Sequence, residues 1–357
     1  MGGNLRFYVS LLGALLQHPK VLILDEPSAF LDDAERRSLY DHLRTLSDAG
    51  TTIIVITHSR AQATTYAHTV TLLRHGKCAG QFTSADEYKE FLSEGGSLPP
   101  ASHVGSFASA VAPTPPSPKG DTPLKSPAFT LTAVSSRPKN RPALLSATIA
   151  AEYGEITAVT GLQEAALDTL EDVATGMETA YAKGTVTLAA PDGTQTTLAA
   201  RRLSPQVLRA HNTAIVPSDR AFRASHPAIT VEQLLSVYTK GDPCATALTM
   251  IARAEVAITP EEQVSHLSGG MLQRLILTRE LSGDPRLVIL CNPLQGLDIQ
   301  AQGELCQRLT ALARAGKAIL IIGAQEFPLS LCHKVYALES GRTHLRFDRA
   351  AHEGVTK

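Results

Sequence analysis

The stretch that decides the fold is VLILDEPSAFLD, from Val21 to Asp32. A second run, LVILCNPLQGLD from Leu287 to Asp298, repeats its pattern, with Cys291 and Asn292 where the first copy has Asp25 and Glu26. An offset of 266 pairs Leu24 with Leu290, and it also pairs Pro19 with Pro285, Asp32 with Asp298 and Gly50 with Gly316. The same offset sets TIIVIT (52–57) against AILIIG (318–323), with no gap from Pro19 to His58. Chance likeness between two apolar strands would not hold register across an intervening helix, so this is an internal repeat.

Each copy has one local grammar. A helix-like run, LLGALLQHP, ends at Pro19. VLILD is short, apolar and rich in branched residues, which predicts a strand buried on both faces. DDAERRSLYDHLRTLSDAG places Leu39, Leu43 and Leu46 on one helical face and stops at Gly50. TTIIVITH predicts a second buried strand. Strand, helix, strand implies a parallel sheet and an α/β fold.

Composition sets the bounds. A chain of 357 residues suggests two domains. A net charge of −1 gives no electrostatic lead toward nucleic acid or a membrane surface. The five cysteines (78, 244, 291, 306, 332) contain no CxxC pair, which favours a reducing compartment over a disulfide frame or a zinc site. No apolar run approaches the ~20 residues needed to span a bilayer, and the first residues lack a signal-peptide pattern. These features predict a soluble cytoplasmic protein.

Residues 93–126 are rich in Pro, Ser, Gly and Ala and read as a linker. A flexible chain of this length spans roughly 30 Å, enough to tether two domains. Beyond it, AFTLTAV and ALLSATIAAEYGEITAVTG predict strands, the latter with a turn at Tyr153-Gly154. TVTLAAPDGTQTTLAA predicts a hairpin turning at Asp192-Gly193. The expected layout is a partial domain at 1–92, the linker, a complete domain at 127–348 and a tail at 349–357.

The chemistry sits at strand ends. Asp25 stands where a buried strand opens into a crevice, the usual binding place in an open α/β sheet. A carboxylate there holds Mg²⁺ through water. Glu26 beside it orients or deprotonates an attacking water, and His58, ending the next strand, reaches a γ-phosphate. Phosphoryl transfer uses such parts because it depends mostly on positioning and charge neutralisation. In LSGGMLQRLILTREL, from Leu267, Ser268, Gly269 and Gly270 precede a helix. Such a helix tip offers free N–H groups and a favourable dipole to an anion, although Ser and Gly are also ordinary caps.

Together LSGGMLQR, VLILDEPSAFLD and VITH resemble the signature, Walker B with D-loop, and switch-histidine motifs of ABC-type ATPases. GEITAVTGLQEAALDTLEDVATGM (154–177) has the frame of that family's phosphate-loop segment. IVPSDR (215–220) and LCHKVYALESGR (331–342) are similar to stretches of its double-cassette importers for sugars, nucleosides and related solutes. The resemblance implies a P-loop NTPase-like α/β fold with one partial and one complete ABC cassette, and it implies ATP and Mg²⁺ as cofactors. It implies two integral-membrane permease subunits or domains as partners, and indirectly an extracytoplasmic solute-binding protein. The location implied is cytoplasmic, peripheral on the inner face of the plasma membrane.

Cassettes of this family pair head to tail around nucleotide. On that pattern Asp25, Glu26, Asp32 and His58 of the first half share one site with Ser268, Gly269, Gly270 and Gln273 of the second, with Glu26 and His58 catalytic and Asp25 on the metal. The opposite site is degenerate. A phosphate loop needs G-x-x-x-x-G-K-[ST], and the second half has Gly161 followed by Ala166, Leu167 and Asp168 at the Gly, Lys and Ser/Thr places. An acid in a phosphate cradle repels its ligand, by about 4 kcal/mol for unit charges ~4 Å apart at an effective dielectric of 20. Cys291-Asn292 replace the acids, Ala324 stands at the histidine position, and MGGNLRFY puts Asn4 and Tyr8 where Gly270 and Arg274 stand. The acids are thus dropped from the copy that serves the other's site.

The phosphate loop partnering Asp25 is expected upstream of the signature, so a preceding segment or a separate N-terminal cassette fragment is expected to supply it. Two other classes compete with the importer ATPase. One is an inert ABC-fold regulatory or scaffold protein. The other acts on nucleic acid, and the near-neutral charge counts against it.

Overall fold

The computed structural model describes residues 3–25, 27–28, 31, 33–57, 60–74, 77–93, 127–139, 141–161, 164–295, 297, 299–323 and 327–350. The chain divides into two compact units, Met1–Pro118 and Lys119–Lys357. The expected linker lies largely outside the described residues.

The first unit runs α1 (Gly3–Leu15), β1 (Val21–Asp25), α2 (Asp33–Asp48), β2 (Thr52–Ile56), α3 (Arg60–Tyr66), β3 (Val70–Arg74), β4 (Lys77–Phe82) and α4 (Ala85–Ser93). β1 and β2 pair in parallel, from Val21 opposite Thr52 to Asp25 opposite Ile56. β3 and β4 form a separate hairpin. Leu39 and Leu43 of α2 are buried against Leu22 and Leu24 of β1, with Phe7, Leu11 and Leu15 of α1 packed alongside. The predicted helix stop holds, since Gly50 takes a φ of 96° and its N–H closes on Ser47 O at 2.9 Å. Only glycine adopts that backbone without strain.

The second unit runs β5 (Pro127–Ser136), β6 (Leu144–Glu152), β7 (Ile156–Gly161), α5 (Glu164–Ala174), β8 (Ala182–Ala189), β9 (Gln195–Ala199), α6 (Pro205–Ala210), β10 (Thr213–Val216), α7 (Arg220–Arg223), α8 (Val231–Ser236), α9 (Pro243–Ala254), α10 (Gly269–Leu281), β11 (Leu287–Cys291), α11 (Ile299–Arg314), β12 (Ala318–Ile322), β13 (Lys334–Glu339) and β14 (Arg342–Asp348). Its ten strands form one sheet in the order β10-β11-β12-β7-β13-β14-β6-β5-β8-β9. The β10-β11-β12-β7-β13 portion is parallel. The far end is an antiparallel group, β6-β5-β8-β9. Two apolar clusters cover the two faces of the parallel portion. The predicted hairpin is β8–β9, where Gly193 has a φ of 86° and Thr194 N–H donates to Asp192 Oδ1 at 2.9 Å.

The repeat is structural as well as sequential. α1, β1, α2 and β2 coincide with α10, β11, α11 and β12 at the same offset of 266, end to end. Even the strand register repeats, Val21 opposite Thr52 and Leu287 opposite Ala318.

One expectation fails in the first unit. β11 and β12 are buried at every residue, as predicted. β1 is buried only at alternate positions, Leu22 and Leu24, while Val21 and Ile23 are exposed. β2 likewise exposes Ile54 and Ile56. The sequence has the pattern of a doubly covered strand, but among the described residues only one face of this sheet carries a layer. No helix among the described residues is long and apolar enough to cross a membrane.

Candidate functional site

Asp25 is the last residue of β1, exposed at the carboxyl end of the parallel pair. Its position follows from the strand pattern, because four apolar residues carry the chain through the core and the acid emerges where the core stops. Glu26, Asp32 and His58 lie outside the described residues. Just behind Asp25 the structure shows a polar knot that the sequence did not announce. Gln62 on α3 donates its amide to Ser28 Oγ at 2.7 Å, and its carbonyl accepts from Tyr40 Oη at 2.7 Å and Thr57 Oγ1 at 3.1 Å. These bonds tie the loop after β1, the end of β2, α2 and α3 to one side chain. Tyr40 also stacks on Tyr66 at 4.2 Å between centroids. The knot fixes both strand ends that carry the predicted catalytic pair.

In the second unit Ser268 is the N-cap of α10, its Oγ accepting from Met271 N–H at 3.2 Å. Ser268 and Gly269 are exposed, and a Cβ on Gly269 would meet nothing within 4 Å. The backbone there is open to close approach by an anion. Gln273 is buried, and its amide donates to Pro293 O. It braces α10 against the loop after β11. Farther along, Glu280 anchors the same helix, accepting from Arg209 Nη1 at 2.9 Å, from Arg279 Nη2 at 2.9 Å and from Ile215 N–H at 3.2 Å.

The residues after β7 differ from a phosphate loop. Leu167, at the place of the phosphate-binding Lys, is buried in the core with Leu170, Val173 and Leu338. Its Cγ lies 3.4 Å from where a Cβ on Gly161 would stand. Three acids follow on one face of α5, Asp168, Glu171 and Asp172. Burial raises the pKa of Asp168 and of Glu171 above the ordinary carboxylate range. Arginines, rather than phosphate, answer these acids. Arg223 reaches Asp172 at 2.5 Å and Glu171 at 3.4 Å, and Arg141 reaches Asp172 at 2.5 Å. Glu171 also accepts from Ser218 N–H at 3.0 Å.

The edited strand end completes this enclosure. Arg220 donates to Asn292 O at 2.6 Å, and burial holds its pKa down to about 10. Cys291 is fully buried, and burial pushes its thiol well above the ordinary value. A thiol so raised is no nucleophile.

Among the described residues of the first half, Asp25 has donor chemistry that fits Mg²⁺. Mg²⁺ is commonly held by one or two carboxylates plus phosphate and water. Asp25 offers such a carboxylate, and Ser268 with its neighbouring backbone offers anion donors.

The parallel sheets, with an acid at the carboxyl edge of one and a glycine-tipped helix beside the other, define the class: an open α/β fold. No model of a known protein family matches the chain. Curated relatives are more specific. A probable riboflavin import ATP-binding protein of Treponema pallidum is 28% identical over 388 residues, covering 96% of this chain and 64% of that one. A xylose import ATP-binding protein of Burkholderia ambifaria is 29% identical over 370 residues, covering 100% and 67%. A putative ribose/galactose/methyl galactoside import ATP-binding protein of Agrobacterium fabrum is 26% identical over 348 residues, covering 91% and 63%. Among solved structures, a nucleotide-free ATP-binding cassette from an ABC transporter has a TM-score of 0.49 at 17% identity, covering 64% of this chain and 95% of that one. The resemblance drawn from the motifs is thus borne out by import ATP-binding proteins along most of the chain. The chain spans about two thirds of the length of these relatives.

Proposed function

We propose that this chain forms part of the ATP-hydrolysing subunit of an importer for a small polar solute: a sugar, nucleoside or vitamin. One observation carries the reading. The half that keeps the strand-end acid lacks the intact helix tip, and the half that keeps the tip has filled its own phosphate cradle with Leu167 and an internal ion network. Such editing leaves the acid in one half and the helix tip in the other. The relatives' names support ATP and import.

Bound Mg²⁺-ATP would supply the phosphoanhydride whose hydrolysis drives transport. Asp25 holds the metal's water shell, and Glu26 orients the attacking water and takes its proton. Asp32 and His58 lie beside them, His58 donating toward phosphate. Ser268 with the N–H groups of Gly269 and Gly270 supplies donors from the second half, and Gln273 keeps that helix tip in place. The phosphate loop for this site comes from polypeptide other than the filled loop at 161–168. The partners are two integral-membrane permease subunits or domains and, through them, an extracytoplasmic solute-binding protein. The place of work is the cytoplasmic face of the plasma membrane.

The test is ATP turnover by the natural polypeptide that contains these residues, with its permease. Glu26→Gln is expected to lower turnover at least about 100-fold, as loss of a general base does, while ATP is still bound. Turnover unchanged by that substitution sinks the assignment. No turnover in the wild type, with a phosphate loop present, favours the inert scaffold.

A further inference from the structure

The polar knot behind Asp25 belongs to one copy of the repeat only. Gln62 donates its amide to Ser28 Oγ at 2.7 Å and accepts from Tyr40 Oη at 2.7 Å and Thr57 Oγ1 at 3.1 Å. At the offset of 266, Ser28, Tyr40 and Thr57 correspond to Leu294, Cys306 and Gly323. The residue 266 beyond Gln62 is Pro328, and its neighbour Phe327 is buried. Leu294, Cys306 and Phe327 belong to the apolar cluster on one face of the second unit's sheet. None of the four replacements carries a hydroxyl or a side-chain amide.

The second copy folds without the knot. α10, β11, α11 and β12 keep the bounds of α1, β1, α2 and β2 at that offset, and the strand register is the same. The fold of the repeat therefore does not require these four side chains. What separates the copies at the carboxyl ends of the strands is chemistry. The knot stands with Asp25, Glu26 and His58, and its loss goes with Cys291, Asn292 and Ala324. A satisfied polar network fixes one geometry more strictly than apolar packing does, because each bond has a preferred direction. Such strictness is of use where reacting groups must be held closely in place.

We infer that Gln62 is a positioning residue for the strand-end site, the one side chain that sets the turn after Asp25 against the end of β2. Ser28 lies two residues past Glu26, and Thr57 immediately precedes His58. Gln62 acts through these two neighbours and not on the reacting atoms. The bonds select one orientation of its amide: two hydroxyl groups donate to the carbonyl oxygen, which leaves the NH₂ facing Ser28. Tyr40, 6% exposed and stacked on Tyr66 at 4.2 Å, braces that carbonyl from α2. Releasing the amide lets the segments that adjoin the acid and the imidazole shift relative to each other. For attack by a positioned water, such a shift costs rate and not affinity for ATP. The role rests on the proposed ATP site, whereas the shared occurrence of knot and acids does not.

The experiment measures ATP turnover by the natural polypeptide with its permease, at a temperature where thermal unfolding shows each variant fully native. Gln62→Met keeps the length of the side chain and loses its hydrogen bonds. It is expected to lower kcat by about tenfold or more, with KM for ATP within about twofold of wild type. Thr57→Val removes one hydroxyl at nearly constant shape and is expected to lower kcat, and Thr57→Ser, which keeps the hydroxyl, to restore most of it. In the Gln62→Met chain, Thr57→Val is expected to add less than about twofold, because the bond it removes is already gone. A kcat for Gln62→Met within about twofold of wild type overturns the inference. So does a Thr57→Ser chain as impaired as Thr57→Val, a comparison that decides by itself where Gln62→Met does not fold. Glu26→Gln separates the two readings. If it abolishes turnover while Gln62→Met leaves kcat intact, only the positioning role fails. If it leaves turnover intact, the ATP reading fails and the positioning role with it.

Discussion

Arg223→Met tests whether the second unit's former cradle is held shut by its own charges. Arg223 is about one-fifth exposed and faces Asp172 at 2.5 Å and Glu171 at 3.4 Å, both at most 4% exposed. Removing one partner of a buried pair costs about 3–5 kcal/mol, because the remaining charge is left in a poor solvent. Here Arg141 still reaches Asp172 and Glu171 keeps its bond from Ser218 N–H, so the loss falls to the bottom of that range or just below it, about 2–3 kcal/mol. With a urea dependence of about 3 kcal/mol/M, the midpoint of the second unit should fall by about 0.8 M. The sign with pH follows from the carboxylates. Burial already raises Glu171's pKa, so its charged form is disfavoured in the fold. Loss of Arg223 raises it further, and the native state then binds protons that the unfolded chain does not. Stability of the variant therefore recovers as pH falls through that raised pKa and worsens as pH rises above it. Asp172→Asn added to Arg223→Met should restore much of the loss at pH 7. The assay is urea unfolding at pH 5 and pH 7. A variant within about 0.5 kcal/mol of wild type at pH 7, or a deficit that grows on acidification, refutes the reasoning.

Two further outcomes are expected. Gln62→Ala removes the side chain that joins Ser28, Tyr40 and Thr57, and should destabilise the first unit by about 1–2 kcal/mol and slow turnover of the complete protein; thermal unfolding unchanged within error would show the knot to be idle. Iodoacetamide should alkylate the exposed Cys78 in the native chain and leave the buried Cys291 unmodified until the second unit unfolds; early labelling of Cys291 would contradict its enclosure.

Much of this molecule is written in short-range pattern. The offset of 266 was visible from Pro19 to His58, and the helices and strands it relates begin and end at equivalent residues. The Asp192-Gly193 turn and the Gly50 stop follow from φ values that few other residues accept. The ion network was not legible, because its members are far apart in sequence: Arg141, Asp172 and Arg223 are joined only once the β5–β6 connection, α5 and α7 are folded. Gln273 illustrates a subtler loss. Its spacing after Ser268 fits a ligand contact, but position along a helix does not state which backbone group a long amide reaches, and here that group is Pro293 O.

The exposed face of β1 and β2 is where pattern and structure disagree most usefully. A strand's sequence records the environment it evolved to occupy, on both faces, whether or not the covering residues are at hand. In the second unit the record and the surroundings agree, since Leu287 and Ile289 lie under α5 and are buried. In the first unit the same record is kept at Val21 and Ile23, and the surroundings are solvent.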